Sequence, residues 1–296
     1  MTATARATTP LGAAARAMLN KVPEITIFFW IIKILCTTVG ETVSDLLNND
    51  VGLGLTNTGL VMGAILVVAL AVQFWYRRYV PWVYWLVVVL ISIVGTIITD
   101  KLHDDMGMPL STLTFAFALA LAVVFAAWYG VERSLSIRAI TTRRREAFYW
   151  SAVLATFALG TAAGDWLLET LQQGTGSLRA GLLLSGVIFG AIILLAGVAH
   201  LAFRVNPILA FWIAYVFTRP FGANLGDFLG GPNLVDDTGA PGVGGLDLGP
   251  ELVSAVFGVA IVACIVYLTV TKKDTSPDPH FVVETKREHD AHVKGK

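Results

Sequence analysis

The sequence predicts an all-α polytopic membrane protein whose eight transmembrane helices form four parallel two-helix repeats. Three observations carry that expectation. The chain is 55% hydrophobic and only 14% charged, with a mean hydropathy of +0.70, far from the composition of a soluble domain. Its apolar residues gather in runs long enough to cross a bilayer at about 1.5 Å per residue. A single residue pattern also recurs four times at fixed internal spacing.

The spans fall near residues 24–47, 58–76, 81–102, 112–132, 147–171, 180–203, 207–229 and 250–271. Ahead of them stand Arg6, Arg16 and Lys21 without an acid, and no short apolar core with a cleavage site, so residues 1–22 are expected to be a retained, flexible cytoplasmic tail. Loops that follow even-numbered spans carry the cations: Arg77 and Arg78, then Arg133, Arg138, Arg143, Arg144 and Arg145, then Arg204, then Lys272 and Lys273. Those following odd-numbered spans hold only Lys101 and Arg179. The bias places both termini in the cytoplasm of a bacterial inner membrane. Asp50, Asp104, Asp105, Asp236, Asp237 and Asp247 then make the outer face acidic, which draws cations toward it.

The recurring pattern is [FY]-W-x9-G-x4-D-x-L, in "FWIIKILCTTVGETVSDLL", "YWLVVVLISIVGTIITDKL", "YWSAVLATFALGTAAGDWL" and "FWIAYVFTRPFGANLGDFL". It sets Trp30, Trp85, Trp150 and Trp212 in register, likewise Gly40, Gly95, Gly160 and Gly222, and likewise Asp45, Asp100, Asp165 and Asp227. The units run over residues 23–80, 81–145, 146–205 and 206–272, with a cytoplasmic tail at 273–296. On these residues the chain resembles a bacterial four-repeat membrane-protein family of unknown function, with two spans and one characteristic tryptophan per repeat. The resemblance covers residues 22–272 and implies architecture, not substrate.

Two spans per unit is an even number, so all four units enter the membrane in one direction, about an axis along its normal. The four aspartates therefore share one depth, toward the outer side. The tryptophans, about 15 residues or roughly 22 Å away, are expected at the cytoplasmic interface as ordinary anchors. The glycines mark close helix approach.

In the first span Lys33, Thr37, Glu41 and Asp45 recur every four residues, forming one polar stripe that cannot face lipid. The matching positions are Val88, Ser92, Thr96 and Asp100; Val153, Phe157, Thr161 and Asp165; and Tyr215, Arg219, Ala223 and Asp227. Asn224 adds an oxygen beside Asp227. Five carboxylates against Lys33 and Arg219 leave three negative charges over, and a buried carboxylate must be paired, protonated or bound to a cation. Glu41 and Asp45, one turn apart, are expected to share a proton or a cation. Lys33 and Arg219 are expected to point inward, each against a motif carboxylate, with Arg219 beside Asp227. In "TRPFGANLGD", Pro220 predicts a kink or break of the seventh helix.

The candidate ion-binding residues are thus Glu41, Asp45, Asp100, Asp165, Asp227, Thr96, Thr161 and Asn224, with Asp45, Asp100, Asp165 and Asp227 as the metal ligands. Hard oxygen donors suit protons, Mg²⁺, Mn²⁺ or Ca²⁺ rather than soft metals. Other signals are weaker. "DKLHDD", residues 100–105, reads as a wet loop. His280, His289 and His292 in the polar tail fit no zinc spacing. The glycine-rich loop after the seventh span lacks the lysine of a phosphate loop. Cys36 and Cys264 read as small buried hydrophobes.

The expected function is membrane transport of a small cation, a divalent metal such as Mn²⁺ or Mg²⁺ or one coupled to protons, through the carboxylate-lined site of the odd-numbered helices. The competing expectation is a non-transporting structural or binding protein whose aspartates cap helix ends or pair internally. No nucleophile or base stands out for an enzyme, and the lack of a basic, aromatic-interleaved surface argues against nucleic acid. The partners implied are the bilayer, a small cation and protons; the sequence is compatible with a homo-oligomer. A bound divalent cation is the one cofactor it raises.

Overall fold

The computed structural model describes residues 20–231 and 245–275. Residues 1–19, Asp236 and Asp237, and the tail from residue 276 with His280, His289 and His292 lie outside the described residues. Among the described residues eight long helices follow in order: α1 Ile27–Asp45, α2 Gly54–Trp75, α3 Pro81–Asp100, α4 Leu110–Glu132, α5 Arg143–Thr175, α6 Leu178–Phe203, α7 Pro207–Gly230 and α8 Pro250–Thr271. All eight are long and apolar enough to span a membrane. The protein is an all-α, multi-pass membrane protein.

Local chemistry explains the helix ends. Thr26, Thr142 and Ser177 accept hydrogen bonds from the first turns of α1, α5 and α6, while Pro81, Pro207 and Pro250 open α3, α7 and α8, where no amide donor is needed. Helices α4, α6 and α8 each stop on a cation in the left-handed region, Arg133, Arg204 and Lys272 at φ 57°, 54° and 53°. These cations also sit at the negative end of the helix dipole.

The odd helices form a closed ring. Helix α1 packs on α3, α3 on α5, α5 on α7, and α7 back on α1. Every even helix lies against the odd helix of the next repeat: α2 on α3, α4 on α5, α6 on α7, and α8 on α1. Of the apolar stretch of each odd helix 50–72% is buried inside the protein, against 17–28% for the even ones. Lipid is as apolar as leucine, so close packing rather than hydrophobicity must hold the ring together. The glycines supply it. A Cβ at Gly40 would lie 1.9 Å from Ser92 Oγ, at Gly95 2.9 Å from Phe157 Cβ, at Gly160 2.6 Å from Arg219 Cβ, and at Gly222 1.9 Å from Thr37 Oγ1. Each neighbour is the residue three before the glycine of the next repeat, so one contact is copied around the circle.

The tryptophans repeat this logic and correct the sequence expectation. Phe29 lies 5.6 Å from Trp85, Tyr84 5.3 Å from Trp150, Tyr149 6.4 Å from Trp212, and Phe211 5.7 Å from Trp30. Trp85, Trp150 and Trp212 are buried and Trp30 is half-buried. They are ring-closing core residues, not lipid-facing anchors, because the aromatic residue before each one reaches the tryptophan of a neighbouring repeat. The buried Tyr84 and Tyr149 hydroxyls hydrogen-bond within this layer.

Two further expectations are narrowed. Helix α7 does not break at Pro220 but continues through it as one helix, and the proline ring packs against Gly160 and Gly164 of α5. At the tryptophan end, Asn20, Lys21 and Val22 are buried parts of the fold rather than of a flexible tail. The Lys21 amide donates to Ile140 O at 2.9 Å, its ammonium pairs with buried Glu146, and Gln73 donates to the same carboxylate at 3.0 Å. Nearby, the Glu24 amide donates to Asp274 O at 2.9 Å, and Tyr79 OH donates to the Asp274 carboxylate at 2.6 Å. Burial pushes the Asp274 carboxyl above its ordinary range, against the pull of the Tyr79 hydrogen bond.

Candidate functional site

The polar stripe lies on the inward side of the ring. Lys33, Thr37, Glu41, Ser92, Thr96, Thr161 and Arg219 are buried, as are the apolar members Val88, Val153, Phe157, Tyr215 and Ala223. Asp45, Asp100, Asp165 and Asp227 are half-buried at the far end of the stripe, where the ring meets its surroundings. Each odd helix contributes one position to each layer because the stripe repeats every four residues.

Three carboxylates converge. One oxygen each from Glu41, Asp45 and Asp227 all lie within 4.8 Å of one another. Helices α1 and α7 bring them together: Thr38 Oγ1 donates to Gly222 O at 2.9 Å and Thr37 Oγ1 to Thr218 O at 3.3 Å, while Gly226 packs on Thr42 and Thr38. Among the described residues Asp100 and Asp165 stand outside this cluster, though close enough to interact electrostatically with Glu41 and Asp45. Of the four aspartates expected as metal ligands, the structure thus brings Asp45 and Asp227 together, and Glu41 with them, at the α1–α7 contact on one side of the ring.

The cations also differ from expectation. Arg219 Nη2 donates to Glu41 at 2.5 Å and to Thr96 Oγ1, and Thr96 Oγ1 lies 3.3 Å from the same Glu41 oxygen. Arg219 thus pairs with Glu41 of α1 rather than with Asp227 on its own helix. Glu41 belongs at once to the carboxylate cluster and to an ion pair. Among the described residues Lys33 meets no carboxylate and its Nζ has no hydrogen-bond partner; it lies 4.0 Å from the Phe157 ring centroid and 4.4 Å from that of Tyr215. Lys33 and Glu41 are eight residues or about 12 Å apart along α1, and Phe157 and Tyr215 occupy the space around the ammonium. Of the other candidates, Thr161 bonds back to Phe157 O at 3.2 Å, and Asn224 is buried, its Nδ2 without a partner among the described residues.

Fourfold regularity ends at the aspartates. Helices α1 and α3 pass into π turns, Leu46–Asp50 and Lys101–Asp105, directly after Asp45 and Asp100, whereas α5 stays α-helical to Thr175. Such turns are rare and concentrate at functional sites. The second π turn holds the "DKLHDD" cluster in local contacts: Lys101 bonds Asp105 at 2.9 Å and Thr56 at 2.7 Å, and His103 Nδ1 bonds Met108 O at 2.8 Å.

A family model described as a repeat of unknown function, DUF347, matches the chain four times, at residues 28–79, 83–134, 148–206 and 210–274. The chain belongs to the DUF347 family. Each match spans one odd helix and the even helix after it, so one DUF347 unit is one sector of the ring. No curated protein and no solved structure matches the chain.

Sequence reasoning missed the buried Lys21–Glu146–Gln73 network, which ties the first turn of α5 to α2 and to the segment before α1. A signal was present. Glu146 lies four residues before Trp150, where the other units carry Thr26, Pro81 and Ile208, so its charge is peculiar to one copy.

Proposed function

We propose that this DUF347 protein moves a small, hard cation across a bacterial inner membrane, with both termini cytoplasmic and the aspartate end outside. Mn²⁺ and Mg²⁺ are the leading candidates, with protons as coupling ions. The supporting observation is the convergence of Glu41, Asp45 and Asp227. Oxygen donors within 4.8 Å of one another can share one ion at metal–oxygen distances of about 2.0–2.6 Å. Three carboxylates brought together in a partly buried site repel one another unless a cation or proton intervenes.

The geometry supports a sequence of events. A cation drawn by the acidic loops enters at the half-buried aspartates and is held by Asp45, Asp227 and Glu41. Because Glu41 also accepts from Arg219, cation binding and the Arg219 pair compete for one carboxylate. That competition gives the protein two arrangements of a single residue, which is what coupled transport requires. Passage beyond it demands movement of the aromatic layer at the tryptophan end.

The competing reading, a structural protein with internally paired acids, has the Arg219–Glu41 pair in its favour and predicts no flux. Proteoliposomes containing the purified protein should take up Mn²⁺ or Mg²⁺ in a manner altered by a pH gradient. Absence of flux for every cation in a mono- and divalent panel, with and without that gradient, would overturn the transport assignment.

A further inference from the structure

At the tryptophan end of the ring a cavity of about 760 Å³ opens between α6, α7 and the start of α1, a volume ordinary for a small-ligand site. Leu194 and Leu201 in its wall are exposed, so it faces the side of the helix bundle that a bilayer covers. Phe211 and Trp30, which meet where the fourth repeat adjoins the first, also line it, and Trp30 is half-buried where Trp85, Trp150 and Trp212 are buried. Along α6 the groove runs from Ile193 to Leu201, eight residues or about 12 Å. It is a slot long enough for part of a hydrocarbon chain.

The wall also carries polar groups. Arg138, Ser136 and His200 stand in it, and no carboxylate does. The segment that holds Arg138 is pinned: Trp212 Nε1 donates to Leu135 O at 3.0 Å, Arg145 Nη1 donates to Ala139 O at 2.9 Å, and Ile137 between them is buried. The His200 ring is held in turn by Val205 O at 3.0 Å. Arg144 and Arg145 are taken by Glu132, whereas Arg138 is exposed and makes no ion pair among the described residues.

We propose that this groove holds one acyl chain of an anionic phospholipid, with the headgroup phosphate on Arg138. The apolar wall by itself selects nothing, because lipid tails are as apolar as leucine and every phospholipid offers one. Selection therefore falls to the polar groups. A guanidinium with no competing acid donates to the phosphate of an anionic headgroup, whereas the ammonium of a zwitterionic one meets a cation there. Seated in this way, the lipid touches α6, α7 and α1 across the boundary between the last repeat and the first. The site lies at the opposite end of the ring from the carboxylates and does not depend on cation movement.

The test uses the full chain in a neutral detergent with an equimolar mixture of dioleoylphosphatidylglycerol and dioleoylphosphatidylcholine, read by native mass spectrometry. One phosphatidylglycerol should be retained per chain, with a preference of about tenfold over phosphatidylcholine. Arg138→Gln should reduce that preference to about twofold or less. Arg204→Gln, at an exposed cation of the same end but outside the groove, should leave it unchanged. Gly197→Phe fills the slot: a Cβ there meets nothing within 4 Å, so the variant should fold and lose the retained phosphatidylglycerol. Equal retention of the two lipids by the wild type, a loss in Arg204→Gln as large as that in Arg138→Gln, or a preference that survives Gly197→Phe would each overturn the site. So would a lipid-free dimer that Gly197→Phe dissociates, which would give the groove to a second copy of the chain. Lipid retention is read without cation flux, so this proposal and the transport assignment can fail independently.

Discussion

The ring of Phe211 lies 5.7 Å from that of Trp30, and this contact joins the last repeat to the first. Phe29 is its counterpart between the first and second repeats, 5.6 Å from Trp85. Equivalent positions in a closed ring should carry equivalent energy. Phe29→Ala and Phe211→Ala are each expected to cost about 3–5 kcal/mol in reversible unfolding from mixed micelles. Phe203→Ala, at a position 77% exposed, should cost far less. Similar losses at all three would contradict the ring.

Gly222→Ala places a methyl 1.9 Å from Thr37 Oγ1 and 2.8 Å from Thr37 Cβ, and should destabilise by about 1–3 kcal/mol. Gly63→Ala, with open space around its Cβ position, should be neutral or stabilising. Thermal unfolding of the two variants side by side measures the difference.

Glu41→Gln leaves the Arg219 guanidinium buried without its counter-charge, at an expected cost of about 3–5 kcal/mol. The double variant Glu41→Gln/Arg219→Met should be more stable than either single one, since both charges are gone. A double-mutant cycle with no coupling energy would show that the pair holds nothing together.

Cation uptake should divide the aspartates. Loss of even an outer-shell partner of a metal costs about 10–100-fold in affinity, so Asp45→Asn and Asp227→Asn should each weaken apparent cation affinity by at least about tenfold. Asp100→Asn, outside the converging cluster, should retain most of it. Initial rates against cation concentration decide, and equal losses in all three would return the site to a symmetric ring of four.

Much of this was legible in the residue order. The period of Trp, Gly and Asp revealed four equivalent units, and the four-residue stripe from Lys33 to Asp45 identified the helices that turn inward, because both depend on positions along one helix. Partners across helices were not legible. Nothing within α7 distinguishes an Arg219 that meets Asp227 from one that meets Glu41; the choice is made by the Gly160 and Gly222 contacts that set neighbouring helices against each other. Trp85 misled for a related reason: a tryptophan near a span end looks the same whether it faces lipid or the preceding repeat's Phe29.

The hydrogen bond from Glu24 to Asp274, 2.9 Å long, has a topological consequence. It brings the start of the first helix and the end of the eighth to adjoining points on one face, the face on which every connection between repeats also lies. Covalent order is then one of four equivalent ways to thread the same circle. A circularly permuted chain, joined through residues 24 and 274 and opened instead between the second and third repeats, would encounter the same neighbours at every seam. The fold is what a tetramer of two-helix subunits would form, with three of its four intersubunit boundaries tied by peptide linkers.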